Sequence, residues 1–386
     1  MIDTICEKSK CTGCFACMSV CKCNAIVKAE DEMGNVYPQI NQKKCVSCGM
    51  CKKICPEISK PTFLIVQEVY AVWAKEERVE SASGGLADTI SRYVINNNGC
   101  VYGAVSESAK ILHKRICSLE EVKKLRGSKY VKSDMRKCYN ECEIDLKNGK
   151  DVLFIGTPCQ IAGLKVYLRK DYDNLFTVDL ICHGTPSQKY LQEYLDDKIG
   201  NGKWDRVTFR GKYDWKLTVY NGKHIVYQED KEYDSYFSGF LKAVTYRENC
   251  YRCTYAQKKR IGDITIGDFW GLNKSTLSTQ YDGKISLALV MSDKGKWLLK
   301  QCEKDLILEK RSMEEAANPS QHNLLYASVA GEDREKFLTL YPKYGFRKAM
   351  QKTEIGKTIR NAKVRRSIKN SLLWRIIRAV KKERFK

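Results

Sequence analysis

Hydrophobic and polar positions change their period several times along the chain. Residues 62–74, TFLIVQEVYAVWA, read as the strand-like start of a domain that differs in texture from everything before Pro61. Residues 83–107 then predict a loop, an amphipathic helix with Leu86, Ile90 and Tyr93 on one face, an Asn/Gly stop and a strand. Ser83 is placed to cap that helix. Gly84 and Gly85 leave backbone N–H groups bare at its start, which suits a phosphate or a flavin edge, although a flexible helix entry explains the same glycines. DVLFIGTPCQIAGLKVYL (151–168) and LFTVDLICHGTPSQKYLQEYL (175–195) share one shape, strand, loop and helix, each with a cysteine just past the strand. Asn221-Gly222 marks a hairpin. Residues 286–310 close the body as strand, helix and strand.

This pattern predicts an α/β main body with a parallel or mixed sheet, preceded by a small α+β domain. The divisions fall at 1–61, 62–150, 151–345 and 346–386. Composition narrows the class. No basic, apolar leader opens the chain, and no uninterrupted apolar stretch reaches the roughly 18 residues of a membrane span, so the expectation is a cytoplasmic protein. Half of the net charge of +22 sits in residues 352–386, where 13 Lys or Arg face only Glu354 and Glu383. The remaining body is only mildly basic, which argues against nucleic acid as a partner. Within the tail, Leu372, Leu373, Ile376, Ile377 and Val380 form one apolar stripe, with Arg375, Arg378, Lys381 and Lys382 elsewhere on the helix. Such a helix can lie on an anionic membrane at the inner face; docking on a partner or packing on the body are the alternatives.

Nineteen cysteines in 386 residues, clustered rather than spread, point to metal in a reducing compartment. Cys11, Cys14, Cys17 and Cys21 follow C-x2-C-x2-C-x3-C, and Cys45, Cys48, Cys51 and Cys55 repeat it, with Pro56 after the last. This is the bacterial dicluster ferredoxin spacing. Three thiolates wrap one 4Fe-4S cube locally while the fourth reaches the other cube. Cys11, Cys14, Cys17 and Cys55 are thus assigned to one cluster, and Cys45, Cys48, Cys51 and Cys21 to the second. Gly13, Ala16, Ser47 and Gly49 suit loops passing close to a bulky cube, and KSKC against QKKC repeats the flanks. Zinc would leave thiols over. Lys22-Cys23 stands where the first run lacks its proline, and Cys6 and Cys23 read as bystanders.

In the body, Cys159 and Cys182 fall at strand carboxyl ends, the edge where ligands bind in open parallel sheets, and Cys250 and Cys253 form a C-x2-C pair. Four thiols suffice for a third cube or a zinc; spacing alone leaves open whether they meet, since buried free cysteines are common. The other seven cysteines show no ligand logic, Cys138 and Cys142 sharing a helical face as structural residues.

Taken together, Ser83-Gly84-Gly85, His113 upstream of RGSKYVKS, Gly156-Thr157-Pro158-Cys159-Gln160, DLICHGTPS and the Cys250/Cys253 pair before GDITIGDFWG resemble the coenzyme F420 hydrogenase/dehydrogenase beta-subunit family. The form resembled has a dicluster ferredoxin domain in front, and the match runs to about residue 345. The resemblance implies an iron-sulfur flavoprotein oxidoreductase in which FAD lies near a 4Fe-4S cluster and links one-electron carriers to a two-electron substrate. It implies flavin contacts at Ser83, Gly84 and Gly85, a second cofactor loop at Gly127, Ser128, Lys129 and Tyr130, and a third 4Fe-4S cluster on Cys159, Cys182, Cys250 and Cys253. His183 and Asp268 stand beside those ligands, either tuning the cluster or relaying protons, or as supporting structure. Family members reduce deazaflavin, chlorophyll derivatives or other acceptors, and some look like members of bacterial surface-polysaccharide gene sets. The substrate, a small molecule or a saccharide-linked group, therefore stays open, as do the catalytic acid and base. The implied partner is a redox protein. The competing expectation is a flavin-free iron-sulfur module wiring two redox partners together.

Overall fold

A computed structural model describes residues 2–76, 81–210 and 215–371. The opening domain folds its two cysteine loops around the antiparallel pair β1 (Ile26–Glu30) and β2 (Val36–Ile40), with Ile26 opposite Ile40. In the body, β3 (Glu68–Ala74), β4 (Cys100–Glu107), β5 (Lys110–Ile116), β6 (Val152–Gly156) and β7 (Leu175–Leu180) come first. A side sheet follows, made of β8 (Arg206–Thr208), β9 (Lys216–Asn221) and β10 (His224–Asp230). Then come β11 (Ile264–Asp268), β12 (Ser286–Val290) and β13 (Leu306–Arg311).

Eight of these strands form one mixed sheet in the order β13-β3-β12-β11-β7-β6-β4-β5. β4, β6, β7 and β11 run parallel, while β5 and β12 pair antiparallel with their neighbours. The segments 62–150 and 151–345, expected as separate domains, share this sheet, because β3 inserts between β12 and β13. The central strands read as near-continuous apolar runs since both faces are covered. Helices Leu86–Asn96 and Asp293–Gln301 pack on one face with Val101 and Leu153. Helices Cys138–Lys147 and Pro158–Leu168 pack on the other with Tyr102 and Phe154.

The opening domain docks on that second face. Asn140 donates to Ser19 O at 3.0 Å, Lys189 pairs with Glu30 at 2.8 Å, and Tyr255 donates to Glu57 at 3.3 Å. Ser187 Oγ donates to Gly34 O, and Lys28 pairs with Asp134. Below the sheet edge, a buried Arg260–Asp179 pair at 2.9 Å is satisfied by further donors and acceptors. The Arg260 guanidinium also donates to Leu180 O and Tyr255 O, and the N–H groups of Ile261 and Gly262 donate to Asp179. An ion pair of this burial is tolerable only with its hydrogen-bonding capacity filled. It ties the end of β7 to the loop after Cys253.

The hairpin at Asn221-Gly222 forms as its turn signal requires, with Gly222 in the left-handed region at φ 59°. Helix Arg334–Gln351 is broken by Gly345 (φ 70°), and helix Glu354–Asn370 then packs back on the body, where Arg366 pairs with Glu229 at 2.8 Å. The apolar stripe from Leu372 to Val380 and the basic residues expected beside it lie outside the described residues. Among the described residues no helix is long and apolar enough to cross a membrane.

Candidate metal centres and the adjoining cavity

The two opening loops fold alike because their backbones bend at matching places. Gly13 and Ser47, each just before the second cysteine of its run, are left-handed at φ 63° and 55°, and so are Phe15 and Gly49 just after it, at 61° and 75°. Phe15 and Ser47 hold a conformation that side chains disfavour, the kind of local strain found at binding loops. These turns gather Cys11, Cys14, Cys17 and Cys55 around one buried cavity, matching the assignment of three local ligands and one from across. Backbone N–H groups aim at the sulfurs: Gly13 at Cys11, Ala16 at Cys14, Glu57 and Ile58 at Cys55, Lys52 at Cys51, and Ala25 at Cys21 at 3.3 Å. Donors to sulfur are what a thiolate-bound cluster needs, so these residues fit the group.

Cys6, read as a bystander, lines the same cavity and hydrogen-bonds both Cys11 and Cys55. Its contact, with the Gly13 N–H and Arg247, holds the Cys11 thiol down at about 6 against the push of burial. No spacing rule reveals it, since it lies outside the repeat. Cys23 is exposed. The second set is nearer the surface, with Cys48 exposed and Cys45 half-buried.

The body cysteines, whose meeting the spacing left open, are neighbours: Cys159, Cys250 and Cys253 act electrostatically on Cys182. β6 and β7 lie side by side, Gly156 opposite Asp179, so the loops bearing Cys159 and Cys182 leave one sheet edge. Cys159 sits in the first turn of helix Pro158–Leu168, whose start is fixed by Gln160 Oε1 accepting from the Thr157 N–H and hydroxyl, both at 3.0 Å. Burial raises Cys253 to about 12 and also pushes Cys182 and Cys250 up, with the neighbouring thiols adding to the rise. Such thiols ionise only with compensation, which cluster iron would supply. Gly184, Thr185 and Tyr255 N–H groups serve Cys182, Cys250 and Cys253. Among the described residues no three or more His, Cys, Asp or Glu are gathered closely enough for a single ion.

The two cysteine groups are neighbours. A Cβ on Gly163 would stand 3.1 Å from Cys14 Sγ, so only glycine lets helix Pro158–Leu168 approach the opening domain this closely. Lys132 Nζ lies 3.9 Å from Cys159 Sγ and acts electrostatically on Cys11, Cys14 and Cys250. Buried Arg247 donates to Cys11 O at 3.3 Å. Neither cation was singled out from sequence, though Lys132 lies inside RGSKYVKS.

Beyond Cys182 a cavity of about 300 Å3 opens, lined by Ser83, Gly85, Gly127, Ser128, Lys129, Tyr130, Cys182 and His183. The Ser83–Gly85 turn and the 127–130 loop therefore meet, but not every residue in them plays its expected part. Ser83 does not cap the helix; its hydroxyl donates to Ile285 O at 3.1 Å, and left-handed Gly85 (φ 88°) occupies the cap position. Gly84 faces an adjoining groove, its N–H satisfied by Ser286 Oγ at 3.0 Å and its missing Cβ replaced by Val72 O, so packing on the sheet demands this glycine. Lys129 Nζ is spent on the carbonyls of Lys124, Leu125 and Arg126, and burial lowers it to about 7. Tyr130 stacks on Phe240 at 4.2 Å and accepts from Arg210, which pairs with Asp268 at 2.8 Å and donates to Ala82 O. Burial lowers His183 against the opposing pull of Asp268. His113, also on the wall, is pushed down to about 4 by burial; its Nε2–H donates to Ile155 O at 3.0 Å and Nδ1 accepts from Ser133 at 2.9 Å. It is a neutral structural tie.

Residues 10–58 match a 4Fe-4S dicluster domain, and residues 149–316 match the C terminus of the coenzyme F420 hydrogenase/dehydrogenase beta subunit. The chain is 25% identical over 284 residues to a coenzyme F420-dependent sulfite reductase of Methanocaldococcus jannaschii, covering 69% of this chain and 43% of that protein. Over 55 residues it is 37% identical to an NADH-quinone oxidoreductase subunit I of Geobacter metallireducens, covering 13% of this chain and 42% of the other. It thus spans less than half the length of either relative. A chain of the F420-reducing [NiFe] hydrogenase complex from Methanosarcina barkeri aligns at 16% identity and a TM-score of 0.43, over 76% of this chain and 92% of that one. The chain is thus similar, over residues 10–58, to 4Fe-4S dicluster domains and, over residues 149–316, to the C terminus of the coenzyme F420 hydrogenase/dehydrogenase beta subunit.

Proposed function

We propose that the protein is an iron-sulfur flavoprotein oxidoreductase that moves electrons between a redox protein and a small-molecule or saccharide-linked two-electron substrate. The observation that carries this reading is the meeting of the Ser83–Gly85 turn and the 127–130 loop in one cavity whose wall includes Cys182. A simple carrier needs no such cavity. A flavin held between these two loops would supply the means to couple single-electron exchange with iron-sulfur centres to two-electron chemistry on a substrate. The sulfite reductase activity of the Methanocaldococcus jannaschii relative supports the redox class.

The chain's own residues supply placement. Exposed Cys48 and half-buried Cys45 put one cluster site near a surface that a partner can reach, while Cys11, Cys14 and Cys55 put the next in the interior. Lys132 and Arg247 offset negative charge between that site and the body cysteines. At the cavity, the start of helix Leu86–Asn96 offers N–H groups to a phosphate, and Arg126 and Arg210 line the wall. Neutral His113 adds no charge there.

The test is anaerobic purification followed by iron, acid-labile sulfide and released-flavin quantification per chain. About twelve irons and one FAD are expected. About eight irons and no flavin, even after reconstitution with FAD, would make the protein a carrier between two redox partners.

A further inference from the structure

Two of the seven cysteines that carry no ligand logic face each other. β4 and β5 pair antiparallel with Val101 opposite Ile116 and Tyr102 opposite Arg115. One step further along the same register, Cys100 at the start of β4 stands across from Cys117 just past β5, with their sulfurs 2.7 Å apart. Directly opposed residues in an antiparallel pair have Cα atoms roughly 4.5–5.5 Å apart, inside the range of roughly 4.4–6.8 Å that a disulfide spans. The backbone is already set for the bond. Neither thiol lines the cluster cavity or the larger cavity beside Cys182.

We infer that Cys100 and Cys117 form a reversible dithiol/disulfide site that closes on exposure to a peroxide. The two thiols divide the work by accessibility. Cys117 is exposed and meets the oxidant first, whereas Cys100 is 1% exposed and is reached only by its partner. Arg115, held by Asp145 at 2.6 Å, lies near both sulfurs, while burial and the neighbouring Cys117 thiol push Cys100 up to about 12, so that Cys100 serves as the inner, second thiol. The Cys117 thiolate attacks one peroxide oxygen, the O–O bond breaks, and a sulfenic acid forms as the other oxygen leaves as hydroxide. Cys100 sulfur then attacks the sulfenic sulfur. The S–S bond forms, the S–O bond breaks, and the oxygen departs as water with the thiol proton, so hydrogen peroxide and two thiols give one disulfide and two waters. The link would close a loop containing β4 and β5. It would also fasten residue 117, next to Ser118 at the cap of helix Leu119–Val122, upstream of the 127–130 loop.

The test treats anaerobically purified full-length protein with rising hydrogen peroxide, followed by thiol alkylation and peptide mass mapping, with cluster absorbance recorded in parallel. The expected result is a Cys100–Cys117 linked peptide that appears before half the cluster absorbance is lost and disappears with dithiothreitol. Cys117→Ser, a surface change, should abolish the linked peptide while iron content stays unchanged. Absence of the linked peptide at doses that bleach the clusters would overturn the inference. So would irreversible oxidation of Cys117 with Cys100 still a thiol.

Discussion

In the opening domain, Cys11, Cys14 and Cys17 lie on one short loop, and two left-handed residues, Gly13 and Phe15, fold them around a common cavity. In the body, Cys159 and Cys182 follow the adjacent parallel strands β6 and β7, while Cys250 and Cys253, up to 94 residues further along, reach them from the segment before β11. One site is built by local geometry and the other by strand order. The first should therefore tolerate damage to the body sheet that the second cannot.

Single ligand changes break this comparison most directly. Cys182→Ser should remove about four irons while the opening clusters persist, and Cys55→Ser should remove about four from the opening domain while the body set persists. Iron analysis with EPR of the reduced protein distinguishes the two, and unchanged iron in Cys182→Ser would mean that the body thiols hold no cluster. Next comes Arg260→Leu, which strips Asp179 of its buried partner at the end of β7. A loss of about 3–5 kcal/mol in chemical denaturation is expected, because a buried charge is left unpaired, together with loss of the body cluster alone.

The pH dependence sharpens the contrast further. His113, which ties β5 to the end of β6, has a folded pKa of about 4 against 6.5 for the free side chain, because burial disfavours its charge. The unfolded chain therefore binds the extra proton between those values. Stability is fully present above pH 6.5, falls as pH drops toward 4, and levels below it, by on the order of 3 kcal/mol. His113→Gln should flatten that slope in pH-dependent denaturation, and an unaltered slope would assign it to other groups. The smallest effect is expected from Lys132→Met. Removing a cation beside Cys159 should lower a cluster potential by roughly tens of millivolts in a redox titration with iron content unchanged. No shift would mean that solvent screens the charge.

Much of the body was legible as strand, loop and helix, since buried parallel strands and amphipathic helices leave distinct periods. Thr157 and Gln160, noticed as part of a motif, turn out to fix a helix start by capping. Other residues misled for physical reasons. Gly84 reads as a bare N–H donor, yet close contact with β3 and Ser286 explains it. Lys129, expected only as part of a cofactor loop, lines the cavity with its ammonium held by three carbonyls of its own segment, a contact no spacing shows. Cys6 shows no local signal because its partners are set by folding, not by spacing.

By itself the sequence determined the two ferredoxin-type cysteine sets, since ligand spacing on a single loop is a local property of the chain. It also determined that Cys159 and Cys182 would stand at strand ends. Only the tertiary structure decided that β3 from the first body segment would insert among strands of the second. It likewise decided that Lys132 would sit between the two cysteine groups and that the 83–85 and 127–130 loops would share a cavity. These juxtapositions depend on strand order and on the glycine-permitted approach at Gly163, and contacts between distant residues leave no periodic trace in the chain that makes them.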